Sequence, residues 1–565
     1  MRRRITFIQS PDADFSLDQI SLDQISLDQI SLDQISLDQI SLSRSSLSIR
    51  DLDAVREDRV TFSFDELPSE LWHVLKQCHQ LHIRWAAEEP YEARAPFSSR
   101  VSPGLHVFYT PVAGSGSGSG ENVCALLKKA FDDGLKCETP ETSFITPPLL
   151  STRFASTAAL QFHSALPSLQ NLVTYLQHKA CASTDEDCVR RVAELLTADS
   201  IDVNYDTISH ALTISGYWSR TPSKGWTEEV RARAAGKDQI EVGLLGTEKA
   251  IEPEEIQMGG VLAVVGKEDE LSRLHFSFRH FVGGKSQANY ICVSLEPTLF
   301  SFPSRHHPLP DDATYSISFP EPTGLHPTMT ISLSRASLNT PPAPPDATCA
   351  LHAYLTLPST VFGDKYQLST TDSLFLDSHH LAALRAVAGE TDLEAPDWMV
   401  PRWGSNWLLE LATPQEPELE TDTWNVTIPL HLRYLKPSES GYRSASIPWP
   451  VVFWACSAED GTKMGVNPFD RVNLGWEGLF GVRTMFYQLH PSTGSREDAR
   501  LVEEIEVPVL RLTREGLFQT KNIELGTVAI IGLGLLWVLW KLGLAALSSE
   551  PNTRKQQNQK RSKAE

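Results

Sequence analysis

Leu351-His-Ala-Tyr-Leu-Thr-Leu357 sets an apolar residue at every second position: Leu351, Ala353, Leu355 and Leu357, with His352, Tyr354 and Thr356 between them. Successive side chains of an extended chain point to opposite faces, so this spacing predicts a strand with one face buried and one wet. The same period recurs in both directions. Upstream, Val60, Phe62 and Phe64 alternate with Thr61 and Ser63. Leu274, Phe276 and Phe278 alternate with His275 and Ser277, and Met329, Ile331 and Leu333 with Thr330 and Ser332. Downstream, Ile428, Leu430, Leu432 and Tyr434 alternate with His431 and Arg433. Half-wet strands belong to antiparallel sheets. Regular β-α-β alternation is missing, so the expected class is mainly β, antiparallel and sandwich-like, with scattered helices. One helix is expected where Val189, Val192 and Leu196 follow Asp185-Glu186-Asp187, acids suited to a helix N-terminus. A second is expected from Ser378 to Ala388, stopped by Gly389.

One segment departs from this pattern. Residues 525–547 read LGTVAIIGLGLLWVLWKLGLAAL, uncharged except for Lys541. As a helix they reach ~35 Å, enough to cross a hydrocarbon core of roughly 30 Å. Lys541 lies near the C-terminal end, where its ammonium snorkels outward, and Trp537 and Trp540 suit the interface. The tail beyond carries Arg554, Lys555, Lys560, Arg561 and Lys563 against Glu550 and Glu565. Positive-inside bias puts that tail in the cytosol and the large domain on the other side. The N-terminal MRRRITFIQSPDADF has no apolar core of the kind a secretory signal peptide needs. That observation favours the alternative, a tail-anchored cytosolic adaptor, and the two signals point in opposite directions.

The formal net charge of −21 excludes a basic nucleic-acid-binding surface as the organising feature. Low-complexity breaks divide the chain. SLDQI repeats five times from Ser16 to Ile40, GSGSGSG spans 114–120, and TPPAPPD spans 340–346. Five residues turn a helix through about 500°, so the repeat builds no apolar stripe. Its unit is also too short for a solenoid. The eight cysteines are Cys78, Cys124, Cys137, Cys181, Cys188, Cys292, Cys349 and Cys456, with no CxxC pair. Cys181 and Cys188 are a possible disulfide, because a turn between them brings them together.

Signals for chemistry are weak. Gly283-Gly-Lys-Ser286 resembles the end of a phosphate-binding loop, but Arg279 stands where that motif needs glycine. His306-His307 and His379-His380 are adjacent pairs, which face apart on a strand and do not stack on a helix; they are expected to be solvated. Three D-x-D triplets, at Asp12/Asp14, Asp51/Asp53 and Asp185/Asp187, are what an acidic chain produces by chance. A metal-dependent transferase built on Asp185 and Asp187 is the weakest of the readings. No catalytic, cofactor-binding or metal-binding residue is assigned, and no cofactor is expected. Asn425-Val-Thr427 is an N-glycosylation sequon. Asn425 lies an odd number of positions from Ile428, so on one unbroken strand it shares the polar face with Thr427, His431 and Arg433.

Several segments are shared with a known family. They are Leu52-Asp-Ala-Val-Arg-Glu-Asp58, Leu81-His-Ile-Arg-Trp85, Ala95-Pro-Phe-Ser-Ser-Arg100 and Ser102-Pro-Gly-Leu-His106. Later come His352-Ala-Tyr-Leu-Thr-Leu-Pro358, Val361-Phe-Gly-Asp-Lys-Tyr-Gln367, Arg402-Trp-Gly-Ser405, His431-Leu-Arg-Tyr434 and Ile447-Pro-Trp-Pro-Val-Val-Phe-Trp-Ala-Cys456. By these the chain resembles the fungal protease B nonderepressible proteins, counterparts of the PIG-X subunit of glycosylphosphatidylinositol mannosyltransferase I. The resemblance covers most of residues 50–547; the SLDQI array and the GSGSG run depart from it. It implies a single-pass endoplasmic reticulum membrane protein with a lumenal domain and a cytosolic tail. It further implies a non-catalytic subunit that stabilises a multi-span catalytic partner, and a helper in folding other lumenal proteins. The expected organisation is a disordered arm at 1–50, an α+β region at 51–235 and a β-rich region at 236–336. A PIG-X-like β domain at 337–520, the transmembrane helix at 525–547 and the basic tail at 548–565 complete it.

Overall fold

The computed structural model describes residues 2–9, 34–37, 40–43, 46–112, 121–147, 159–181, 185–231, 239–248, 253–266, 290–293, 298–414, 423–458, 474–494, 499–512 and 519–548. It is mainly β, as the alternation predicts. Residues Met1–Tyr434 and Ala445–Ile505 form one compact unit.

Within that unit an eleven-stranded sheet has the spatial order Tyr290–Val293, Glu255–Gly266, Gln239–Glu248, Arg2–Gln9, Val55–Ser63, Ala211–Trp218, Ser200–Asp206, Cys78–Ala86, Gly104–Pro111 and Leu160–Ser164, with Thr298–Pro303 also pairing Glu255–Gly266. Its neighbours are antiparallel except where Arg2–Gln9 runs parallel to Gln239–Glu248. Leu81, Ile83, Trp85, Val107, Phe162 and Ile201 line one face and pack with residues of the helices Ser69–Leu75, Glu121–Ala130 and Gln170–Ala180. On the other face Ile8, Val55, Ala86 and Tyr217 meet Tyr354, Leu408, Phe453 and Phe486 of a six-stranded sheet. That second sheet is ordered His306–His307, Thr484–Gln488, Val451–Ser457, Thr348–Pro358, Gly404–Leu411 and Leu381–Gly389. Face-to-face packing of this kind makes a sandwich. A four-stranded sheet follows, ordered Thr423–Pro429, Thr328–Ser334, Thr314–Ser318 and His490–Pro491. Met329, Ile331 and Leu333 are each 0% exposed, as their alternation predicts.

Several expectations are corrected. Leu351–Leu357 is a strand, but neither face is wet: His352, Tyr354 and Thr356 are buried too, because the six-stranded sheet is covered on both sides. The helix expected over 378–388 is a short helix, Ser373–His379, followed by the strand Leu381–Gly389. His380 turns the chain between them in the left-handed region, at φ 52°. Leu381-Ala-Ala-Leu is a good helix-forming run, and pairing with Gly404–Leu411 overrides that weak preference. The strand carrying Asn425 ends at Pro429, and His431–Leu432 pairs instead with Val361–Phe362. The alternation therefore breaks: Arg433 is buried and Tyr434 is exposed, the reverse of the expected faces. Arg2–Gln9, placed by the sequence in a disordered arm, is an interior strand with Ile5, Phe7 and Ile8 each 0% exposed. Gln34–Leu37, in the repeat array, pairs with Ile40–Ser43, which begins at the last residue of the array. The expected strand at Leu274–Phe278, the glycines at 283–284 and Asp12/Asp14 lie outside the described residues.

The second unit comprises Leu435–Ser444 and Glu506–Glu565. Its long helix, Thr520–Ser548, holds an apolar span over Lys521–Leu547, 27 residues with none of the span buried. This is the candidate membrane helix expected at 525–547, extended at its start.

Candidate functional site

Asn425 sits on the edge strand of the four-stranded sheet, paired with Ser332, with its side chain exposed. Val426 and Ile428 point the other way and are 0% exposed, so the parity argument holds at the sequon itself. The helix Ser373–His379 and the turn after it cover this edge. His379 Nδ1 meets Thr427 Oγ1 at 2.7 Å. His380 Nδ1 donates to Asn425 O at 2.6 Å and stacks its ring on Trp424 at 3.9 Å. His379-His380 is therefore half-buried and spent on the sequon strand rather than solvated.

His306 and His307 are corrected as well: both are buried, stacked on Phe486 and Tyr487 at 5.4 and 5.2 Å. Burial holds the His307 imidazole down at about 4, so it stays neutral. Asp185 and Asp187 bind the chain to itself. Asp185 accepts from Cys188 N at 3.0 Å as the cap of the helix Glu186–Glu194, and Asp187 pairs with Arg190 at 3.0 Å. The helix is the one expected, although Val189 and Leu196 remain exposed. Among the described residues, no three His, Cys, Asp or Glu side chains are placed to hold a metal ion.

Three cysteine pairs lie in the folded unit. Cys181–Cys188, the pair singled out in the sequence, has its Cα atoms 5.6 Å apart. Cys124–Cys137 and Cys349–Cys456 were not legible, the latter because its partners are 107 residues apart and meet only through strand pairing. Cys78 is a buried free thiol, pushed up to about 12 by its apolar surroundings and so unreactive.

Several residues of the shared motifs are packing devices, while Tyr366 and Tyr434 remain exposed. Trp403 Nε1 donates to Gln161 O at 2.9 Å, and Gly404 follows with φ +156°, where a Cβ would stand 2.0 Å from Leu357 O. Only glycine lets that strand approach so closely. Arg433 lays its guanidinium 4.2 Å from the Phe362 ring and donates to Ala395 O at 2.8 Å. Trp449, Phe453, Trp454 and Cys456 are all buried.

Pattern reasoning missed a polar row across the large sheet, partly exposed at Arg4 and Arg59 and buried from Ser215 to His163. Strand register aligns Glu241, Arg4, Arg59, Ser215, Asp202, Arg84, His106 and His163 across eight strands of the eleven-stranded sheet. Arg84 Nε donates to Asp202 Oδ1 at 2.6 Å, and His82 Nε2 meets the same oxygen at 2.9 Å. His163 donates to Pro103 O at 3.0 Å, and burial lowers it to about 4. The one sequence signal was the charged residue inside Leu81-His-Ile-Arg-Trp85, flanked by core positions.

The family model PIG-X / PBN1 matches residues 322–543. Protein pbn1 of Aspergillus oryzae is 66% identical over 567 residues, covering 100% of both chains. Protein pbn1 of Emericella nidulans is 62% identical over 572 residues, again 100% of both. Protein pbn1 of Neurospora crassa is 39% identical over 497 residues, 87% of this chain and 89% of that one. The resemblance carried by the shared motifs is thus borne out at full length, and the chain belongs to the PIG-X / PBN1 family, and with it to the accessory subunits of glycosylphosphatidylinositol mannosyltransferase.

Proposed function

We propose that this chain is the non-catalytic, stabilising subunit of the mannosyltransferase that adds the first mannose to glycosylphosphatidylinositol-anchor precursors. In this reading its folded domain lies in the endoplasmic reticulum lumen and its basic tail in the cytosol. The observation that carries the topology is the set of three cysteine pairs in the folded unit. Disulfides form and persist in oxidising compartments and are rare in the cytosol. The charge of the tail argues the same way. The span Lys521–Leu547 is long and apolar enough to cross a membrane, so lipid and the spans of a catalytic partner suit it as surroundings. The multi-span partner draws mannose from dolichol-phosphate-mannose, and this subunit keeps it folded. A second role in folding other lumenal proteins comes from the family resemblance.

Depleting the protein lowers both the catalytic subunit and mannosylation of the lipid precursor; normal amounts of both overturn the proposal. Topology is tested separately. External protease on intact microsomes leaves the domain whole and its cysteine pairs blocked to alkylation until reductant is added. Digestion of the domain supports the tail-anchored adaptor instead. We assign an N-glycan to Asn425, which faces solvent. It is added before this strand docks, since the folded chain engages Thr427 Oγ1 with His379. Glycosidase and Asn425→Gln each speed the gel band; no shift with either removes the glycan.

A further inference from the structure

Arg84 is 2% exposed, and although its Nε is held by Asp202, neither Nη1 nor Nη2 meets a hydrogen-bond partner among the described residues. Tyr91, 6% exposed, likewise has an unpartnered hydroxyl. Buried polar atoms are almost always paired, and leaving a charged donor unpaired is costly. Arg100, 6% exposed, lies with its guanidinium carbon 5.8 Å from the Tyr91 ring. Its backbone is clamped by Gln488, through Arg100 N to Gln488 Oε1 at 2.7 Å and Gln488 Nε2 to Arg100 O at 3.2 Å. Its Nη2 meets His490 Nδ1 at 3.1 Å, and Glu92, the carboxylate whose charge bears on it, is ion-paired with Arg94 at 2.8 Å.

These three groups belong to one place. The Tyr91 ring lies 6.4 Å from the Tyr217 ring, and Tyr217, opposite Ser200 and through it Ala86, shares its sheet face with Arg84 two residues along. The charges of Arg100 and Arg84 both bear on the Tyr91 phenol, with Asp199 and Asp202 opposing them. Burial raises that phenol to about 12, so at neutral pH it is a neutral O–H donor. Asp199 is occupied by Ser219 N at 2.6 Å and Asp202 by Arg84 and His82. Glu477, which bears on Arg84, accepts from Leu474 N at 2.7 Å. Counted by hydrogen bonds, the donors still exceed their partners: two guanidinium nitrogens of Arg84, the Tyr91 phenol and the Arg100 guanidinium. A guanidinium fork matches the paired oxygens of a carboxylate or phosphate. We propose that Arg84, Tyr91 and Arg100 form an internal site for a small oxyanion of the phosphate or carboxylate class, between the eleven-stranded and six-stranded sheets. It ties the amino-terminal strands to the region that matches the family model.

The test is thermal melting of the purified full-length protein in detergent. Inorganic phosphate and, separately, acetate are titrated at constant ionic strength, with chloride as balance. A melting temperature that rises and saturates with either anion is expected; phosphate alone, acetate alone or both support the site and sort the class. Tyr91→Phe removes one oxygen and raises the half-saturating concentration about tenfold or more. Arg84→Lys keeps a cation toward Asp202 but removes the fork, and abolishes the saturable response. If Arg84→Lys does not fold, Tyr91→Phe decides alone. A linear, unsaturated rise is general exclusion of phosphate from the surface and overturns the proposal. So does wild-type half-saturation in Tyr91→Phe, or no rise beyond chloride.

Discussion

Two cross-strand rows run through the folded unit with opposite chemistry. In the eleven-stranded sheet the row is Glu241, Arg4, Arg59, Ser215, Asp202, Arg84, His106 and His163. In the six-stranded sheet another row is Tyr487, Trp454, Leu351, Leu411 and Leu381, each buried. The apolar row gains from removal from water at every position. The polar row is stable only where each group finds a partner, because a buried charge without one is expensive. Stability should therefore concentrate in the region matching the family model, while sensitivity to charge and anions concentrates in the amino-terminal strands.

Acid acts on both sheets and should have the largest effect. Burial lowers His163, His307 and His352 from 6.5 to about 4. Below 6.5 the unfolded chain binds protons that the folded chain refuses. Stability is thus fully present above 6.5 and is lost as pH falls toward 4, by roughly 3 kcal/mol for each such histidine. Thermal melts across this window should fall steeply, and a flat profile would mean that these imidazoles are solvated.

Truncating the apolar row comes next. Trp454→Ala removes a buried indole whose Nε1 donates to Ser337 O at 2.9 Å, and should cost about 3–5 kcal/mol in denaturant unfolding. A loss below about 1 kcal/mol would break the claim that this row carries the stability.

The polar row should behave differently. Asp202→Leu strands Arg84 and should cost about 3 kcal/mol, whereas Arg84→Leu with Asp202→Leu should recover most of the loss. Additive losses in the double variant would show that the two groups are not coupled and would break the claim that each compensates the other. The smallest effect is at the surface. Asp185→Ala removes a helix cap from a helix with no buried residue, and should cost about 1 kcal/mol.

The sequence made some elements readable and hid others for definite reasons. Met329, Ile331 and Leu333 were legible because their strand has one dry face. Asp185 was legible because capping is local. The sequon was legible as three consecutive residues, whereas its contacts with His379 and His380 come from a helix 45 or more residues away in the chain. The strand Leu381–Gly389 was hidden by residues that favour a helix in isolation. Arg433 was hidden because Pro429 ends one strand and His431 begins a pairing in another sheet, which resets the alternation.

By itself the sequence determined the β class, the apolar helix near the C-terminus, the sequon and, through its motifs, the family. Each of these depends on composition or on neighbours a few positions apart. The tertiary structure decided that Arg2–Gln9 is an interior strand, that Cys349 faces Cys456, and that Arg84 aligns with Asp202. Those outcomes depend on register between strands distant in the chain. A shift of one residue would turn every side chain of a strand to its other face, and it is the joint burial of both sheets that selects the register.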